Sequence, residues 1–417
     1  MTGSAADPPD ALPDAPADVR ALTRDLVATP SHEDETAAGD HLESWLREET
    51  DAAVARDDHG NVLAARSPDG DAMAPPADTE TPTLALVGHH DVVPPDDSQV
   101  VDDGGDTGTE YVVAERDGRL YGRGSADMKG SLAALVVAFR DATLPDGGPR
   151  LVFASFVGEE VGGEGCRAAI EDGFAPEWAV VGEGSTGYSA DGVTDVAVAH
   201  KGRRASTLVA HGRAAHASEP ERGDNAVYHA TDAVDIVRDL DAPTATVLGH
   251  DLASSVAVTG IEGGDAWNVI PERCEVTVDE RTVPGDRADI GRAAGDEHVD
   301  WTVDQDLPPM ACRDGAFADA ALAAARAAHG HPDDPLGRDA DGVVAPEPAP
   351  EHVVKPHATD AGWLADRAGT DPVVCGAAEP GEAHTADESV SLAVLDRCYR
   401  VYRLLAETFG GGTSGGD

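Results

Sequence analysis

An α/β fold is what this sequence predicts: a mixed, largely parallel sheet flanked by helices, interrupted by an inserted α+β domain of ferredoxin-like topology. Three observations predict it. Continuous apolar runs at 84–87, 151–156 and 178–181 alternate with helical periodicity, the pattern of strands covered on both faces. From about Val196 the texture changes to strand-like segments around one helix, in the order β-α-β-β-α-β. After Pro308 the α/β alternation resumes. A chain of 417 residues also exceeds what one small core organises. The expected layout is a catalytic domain in two parts, 18–193 and 308–410, with an inserted dimerisation or lid domain at 196–305.

The elements follow in order. Helical periodicity marks 19–28 and 36–48, and 61–65 and 84–87 read as strands. Residues 95–110 form an acidic loop, its insertion spanning 96–110. Asp117-Gly118 then suggests a hairpin turn between 111–115 and 119–121. A helix is expected over 130–142, and strands over 151–156 and 178–181. In the insertion, strands at 196–200, 205–210, 254–261, 273–279 and 299–303 surround helices at 225–240 and 287–294. The last part offers a helix at 316–328, a Pro/Asp-rich surface insertion at 333–351 and a short strand at 373–375. A final helix is expected from about Glu388, with Val390, Val394, Leu395, Cys398, Val401, Tyr402 and Leu405 on one face. Thr385 and Glu388 have capping-box spacing, which would set His384 one residue before that helix.

Composition narrows the function. Asp+Glu 79 against Lys+Arg 30 gives a formal charge of -49, and the only lysines are Lys129, Lys201 and Lys355. Regular apolar segments argue against an acidic disordered chain. The expectation is a halophilic cytoplasmic enzyme whose carboxylate-rich surface stays hydrated in concentrated salt. At about 1 M salt the Debye length is about 3 Å, so the charge does not repel an anionic substrate at a distance. Nucleic acid is an unfavoured partner, because no basic face exists to neutralise phosphates. Five cysteines without a C-x-x-C pair argue against a disulfide framework or thiolate zinc site. Residues 1–17 lack the basic and apolar regions of a signal peptide, and no apolar run approaches the roughly 20 residues a membrane span needs.

Chemistry concentrates in five short segments. They hold His89 and Asp91 in GHHDVVP, Asp127 in GRGSADMKG, the pair Glu159–Glu160, Glu183 in VVGEG and His384 in AHTAD. Each has a bland reading on its own: a polar turn, a helix-terminal acid, a solvated helix start. Adjacent carboxylates directly after an apolar strand, however, repel unless a cation or shared proton compensates them. Two imidazoles and several carboxylates at strand ends suit two neighbouring zinc-like ions, with one glutamate left to move protons. Asp91 stands where a carboxylate orients a metal-binding imidazole. That inventory points to a hydrolase.

All five segments resemble, in order and approximate spacing, the dinuclear zinc metallopeptidases and deacylases related to succinyl-diaminopimelate desuccinylase, acetylornithine deacetylase, aminoacylase and glutamate carboxypeptidase. The resemblance runs from about Val19 to Phe409. It implies two zinc ions, with cobalt or manganese as substitutes. His89 and Glu183 would bind one, Glu160 and His384 the other, and Asp127 would bridge them. Glu159 would be the general base acting on water, with Asp91 orienting His89. In the insertion, HGRAAHAS at 211–218 and RGDNA at 222–226 look like the family's dimerisation domain. There His216 would stabilise the oxyanion in the partner subunit's active site. Asn268 would polarise or anchor the scissile group, Arg281 would hold a substrate carboxylate, and Gly376 would be a further substrate-binding residue. The implied partners are a small N-acyl amino acid or short peptide and a second copy of the chain. Departures from the family pattern are Gly158 and Gly184 beside the acids and Gly376-Ala377-Ala378 in place of a Gly-Pro-Gly turn.

The expected activity is removal of an acyl group in amino-acid biosynthesis, with succinyl-diaminopimelate or acetylornithine as substrate and aminoacylase or dipeptidase-like carboxypeptidase activity as the alternative. A catalytically silent dimeric scaffold is the competing class, disfavoured by the intact acid pair. A dinucleotide enzyme is weaker, because the glycines at 162–165 lack the fingerprint's spacing.

Overall fold

The computed structural model describes residues 14–68, 81–101, 110–295, 297–331, 334 and 348–410. The chain divides into two compact units, one of residues 1–199, 311–354 and 359–417 and one of residues 200–310 and 355–358. Among the described residues, no helix is long and apolar enough to cross a membrane.

Among the described residues, a nine-stranded sheet organises the first unit. Its central strands are β1 (Thr83–His89), β2 (Arg150–Phe156), β3 (Trp178–Val181) and β4 (Asp371–Val374). They lie side by side in the order β2, β1, β3, β4 and all run parallel. Strands Val62–Arg66 and Val196–His200 flank this group in antiparallel pairing. Every residue of β2 is buried, as is every residue of β1 after Thr83. That explains why both read as unbroken apolar runs: helices cover each face, so neither face needs polar side chains. The helix Gly130–Asp141 is apolar all round and buried from Gly130 to Phe139, the character of a core helix rather than a surface one. Parallel strands bring their carboxyl ends to one edge, where ligands gather in sheets of this kind.

The second unit has a four-stranded antiparallel sheet in the order Ser255–Gly263, Arg273–Arg281, Arg203–His211, Val299–Leu307. That order and pairing belong to the ferredoxin-like arrangement. Burial alternates along Arg203–His211, so one face packs and the other meets solvent. Leu208, Ala210, Val276 and Val278 pack against Ala230, Ala233 and Val237 of the helix Ala226–Arg238.

Several local expectations are corrected. The 111–115 arm of the hairpin is shorter: Ala114–Arg116 pairs with Arg119–Tyr121, while Glu110–Tyr111 pairs with Val100–Val101. The predicted helix at 287–294 is a 3-10 turn, Ile290–Ala294. The last helix begins at Leu392, with Ser391 as its N-cap, because Ser389–Ser391 is a strand paired with Arg119–Tyr121. Among the described residues, the strands that escape the pattern reading include Ala53–Arg56, Thr244–Val247, His250–Ala253 and His352–Lys355. Most of the predicted insertion at 333–351, and 102–109 of the acidic loop, lie outside the described residues.

Candidate metal centre

Strand β1 ends at His89, whose side chain is 1% exposed. Its Nδ1 lies 3.1 Å from the carbonyl of Asp91 and 3.2 Å from the Asp91 carboxylate. A carbonyl only accepts, so Nδ1 carries the proton and donates. Nε2 then faces two carboxylates, Asp127 at 3.3 Å and Glu183 at 3.1 Å. A second trio mirrors the first. His384 Nε2 lies 3.1 Å from the other oxygen of Asp127 and 3.0 Å from Glu160.

These distances test whether metal fits. Donors about 2.1 Å from a tetrahedral ion lie about 3.4 Å apart. The observed separations of 3.0–3.3 Å match that edge, and Asp127 gives one oxygen to each trio. A neutral imidazole lone pair aimed at two carboxylates is repulsive without a positive charge between them. In the metal-free chain protons supply that charge. His384 is raised to about 10 by its bonds to Asp127 and Glu160. Burial opposes protonation of His89, but Asp91, Asp127 and Glu183 hold it well above the ordinary histidine range. Burial likewise works against ionised Asp127, and the two histidines overcome it, holding its carboxyl well below the usual range. The donor set suits two zinc-class ions bridged by Asp127.

Glu159 stands apart. Its carboxylate lies within 4.8 Å of donor atoms of His89 and Glu183, so proximity alone does not separate it from the ligands. Burial pushes its carboxyl well up; His89 opposes this, while Asp360, Glu183 and Glu160 add to it. A carboxyl group that takes a proton readily in a dry site is suited to proton transfer.

The surroundings fix each group. Asp91 accepts from the backbone N–H of Glu159 at 3.2 Å and of Glu160 at 3.0 Å, tying the first histidine to the acid pair. Glu388 accepts from the N–H groups of Ala126 and Asp127 and pairs with Arg123 in a buried ion pair. The expected capping box is therefore absent: Glu388 positions Asp127. Asn61 accepts from Val157 N–H and donates to the Gly165 carbonyl, bracing both ends of the acid-pair turn. Beneath that turn both carboxylate oxygens of Asp360 are buried without a hydrogen-bond partner, and burial pushes its carboxyl up to about 7. Arg123 lies within one singled-out segment and Glu388 directly follows another, but no local spacing marks their pairing, and nothing in the sequence marks Asn61 or Asp360.

Gly376 supports Glu183. Its N–H donates to Ser185 Oγ, and its carbonyl accepts from Ser185 and Thr186. A Cβ there would lie 2.0 Å from the Gly182 carbonyl, so only glycine fits. Both backbone groups are engaged, which makes Gly376 a brace for the Glu183 loop.

The other three predicted residues belong to the second unit. His216 pairs with Val269 across a short ladder, beside Asn268, whose carbonyl accepts from Ala217. His216 Nδ1 meets Ser218 Oγ at 2.7 Å, and both His216 and Asn268 are exposed. Arg281 is 37% exposed and donates to Asp279 at 2.9 Å.

Residues 85–408 match the model of peptidase family M20/M25/M40. The chain belongs to this family. Solved structures share the fold across nearly the whole chain. The aminopeptidase PepT of Bacillus cereus superposes with a TM-score of 0.69 at 18% identity, covering 94% of this chain and 97% of its own. A dinuclear metal-binding M20 peptidase from Bacillus subtilis gives 0.61 at 16% identity, covering 93% and 96%. Human carnosine dipeptidase 1 gives 0.60 at 16% identity, covering 94% and 98%. The family member described here is a metal-dependent hydrolase of amide bonds.

Proposed function

We propose that this M20 hydrolase removes the acyl group from a small N-acyl amino acid, with the succinyl-diaminopimelate or acetylornithine class as its substrate. The observation that carries the reading is the doubled His–carboxylate trio sharing Asp127, with Glu159 beside it. His89, Glu183, His384, Glu160 and Asp127 would hold two zinc-class cations, which would supply Lewis-acid polarisation and lower the pKa of water toward neutral. Glu159 takes the proton of the attacking water and returns it to the leaving nitrogen. Asp91 holds His89 in the Nδ1–H tautomer through this cycle. His216 stabilises the oxyanion in the partner subunit of a homodimer, Asn268 anchors the scissile group, and Arg281 leaves Asp279 to take the substrate carboxylate as a planar two-point donor. The enzyme works in the cytoplasm at high salt. A short peptide is the second reading, supported by the aminopeptidase and dipeptidase named among the structural neighbours.

A panel of N-succinyl, N-acetyl and dipeptide substrates, assayed in molar KCl with added zinc or cobalt, tests the substrate class. Turnover confined to the N-acyl substrates is expected; turnover of dipeptides alone overturns it. Glu159→Gln should lower kcat by at least about a thousandfold while metal content stays at the wild-type level. An active variant removes Glu159 from the mechanism.

A further inference from the structure

Outside the catalytic centre, the second unit gathers another set of metal-ligating side chains: Asp224, His229 and His298. His229 Nε2 lies 2.8 Å from one oxygen of Asp224, and His298 Nδ1 lies 3.7 Å from the other. The two imidazole rings stack face to face, 4.2 Å between centroids and 9° from parallel. One donor atom from each residue falls within 4.8 Å of the others.

Three physical points give this set a ligand. First, 3.7 Å is too long for a hydrogen bond, yet two donors each about 2.1 Å from one ion can stand up to about 4.2 Å apart. Second, both rings turn a nitrogen toward the Asp224 carboxylate, at 2.8 and 3.7 Å, and imidazole nitrogen is the commonest protein ligand for zinc-class ions. In the metal-free chain the His229 Nε2 proton bridges to Asp224, and on metal binding that proton leaves to solvent. Third, the ligands come from three fixed segments. Asp224 exchanges backbone hydrogen bonds with Arg213, at 2.8 and 2.9 Å. His229 stands on the helix Ala226–Arg238, capped by Asn225. The carbonyl of His298 accepts from His211 just before the strand Val299–Leu307. Ligands held this way lose little freedom on binding. The side chains are 19–35% exposed, so an ion can enter and water can complete its shell.

We propose that Asp224, His229 and His298 bind one zinc-class divalent cation, which clips the start of the helix to the start of the strand. Two imidazole nitrogens with one carboxylate select zinc, copper or nickel over magnesium or calcium. The site is independent of the catalytic trios and uses none of their residues.

The test is zinc content of the full chain, dialysed against micromolar zinc in molar KCl so that the acidic surface does not hold ions loosely. The doubly substituted His229→Ala, His298→Ala protein should bind one zinc equivalent per chain less than wild type, hydrolyse substrate at the same rate, and gain less thermal stability on zinc addition. Equal zinc content in the two proteins overturns the proposal. Should the double variant fail to fold, the near-isosteric Asp224→Asn protein is read by the same criterion. Because the readout is a difference of one equivalent, it stands or falls separately from the number of ions at the catalytic centre.

Discussion

The two halves of the candidate metal centre share Asp127 but are built from different material. His89 ends a central parallel strand and is 1% exposed, with its tautomer set by Asp91. His384 lies in a loop, takes a left-handed backbone with φ of 62°, and its side chain is 49% exposed. What steadies that loop is peripheral: Gln99 donates to the Thr385 carbonyl, and Glu382 pairs with Arg119. The difference teaches that one half of the site is set by the core and the other by loop contacts. Ion binding should follow the same division, tight beside His89 and looser beside His384.

The largest effect separates the halves directly. His89→Ala should abolish activity, by at least about a thousandfold, and lower thermal stability, because it strands buried carboxylates without a partner. Excess metal should not restore it. His384→Ala should lose activity at stoichiometric zinc and recover part of it in millimolar zinc, since the exposed half is rebuilt by ligands from solvent. Equal, unrecoverable losses would break the comparison.

A smaller effect probes what the halves share. Glu388 holds Asp127 from behind, through its N–H and that of Ala126. Glu388→Gln should weaken metal binding by about 10–100-fold, the size expected for a residue behind the ligands. Competition against a chelator should show both ions weakened together; loss of only one would show that Asp127 does not bridge.

The smallest effect is in pH. In the metal-free chain His384 is raised to about 10 by Asp127 and Glu160. Its ordinary value is 6.5, so the folded state binds more protons than the unfolded one between 6.5 and about 10. The stabilisation is complete below 6.5 and is lost as pH rises toward 10. The thermal midpoint of the metal-free protein should fall across that window, and fall less in His384→Gln. Half exposure of the side chain keeps the difference small.

Legibility in the sequence followed the same divide. Parallel strands buried on both faces must be apolar throughout, so β1, β2 and β3 announced themselves, and the acids and imidazole at their ends stood out against that background. Loop and pairing features did not. Glu388 has the spacing of a capping box, and nothing local distinguishes it from a glutamate that pairs with Arg123, 265 residues away in sequence. The start of the last helix was misplaced for the same reason, since Ser389–Ser391 is a strand only because Arg119–Tyr121 is there to receive it. Arg281 and Asp279 are two apart on one strand and so share a face, an alternation that brings their side chains together. Asn61 and Asp360 act through packing that only the folded chain reveals.

Anomalous X-ray scattering from zinc-loaded crystals tests the central claim most directly. Two peaks about 3.5–4 Å apart, one between His89 and Glu183 and one between His384 and Glu160, with an Asp127 oxygen on each, are the predicted result. A single peak in this centre, or Asp127 bound to only one ion, would contradict it.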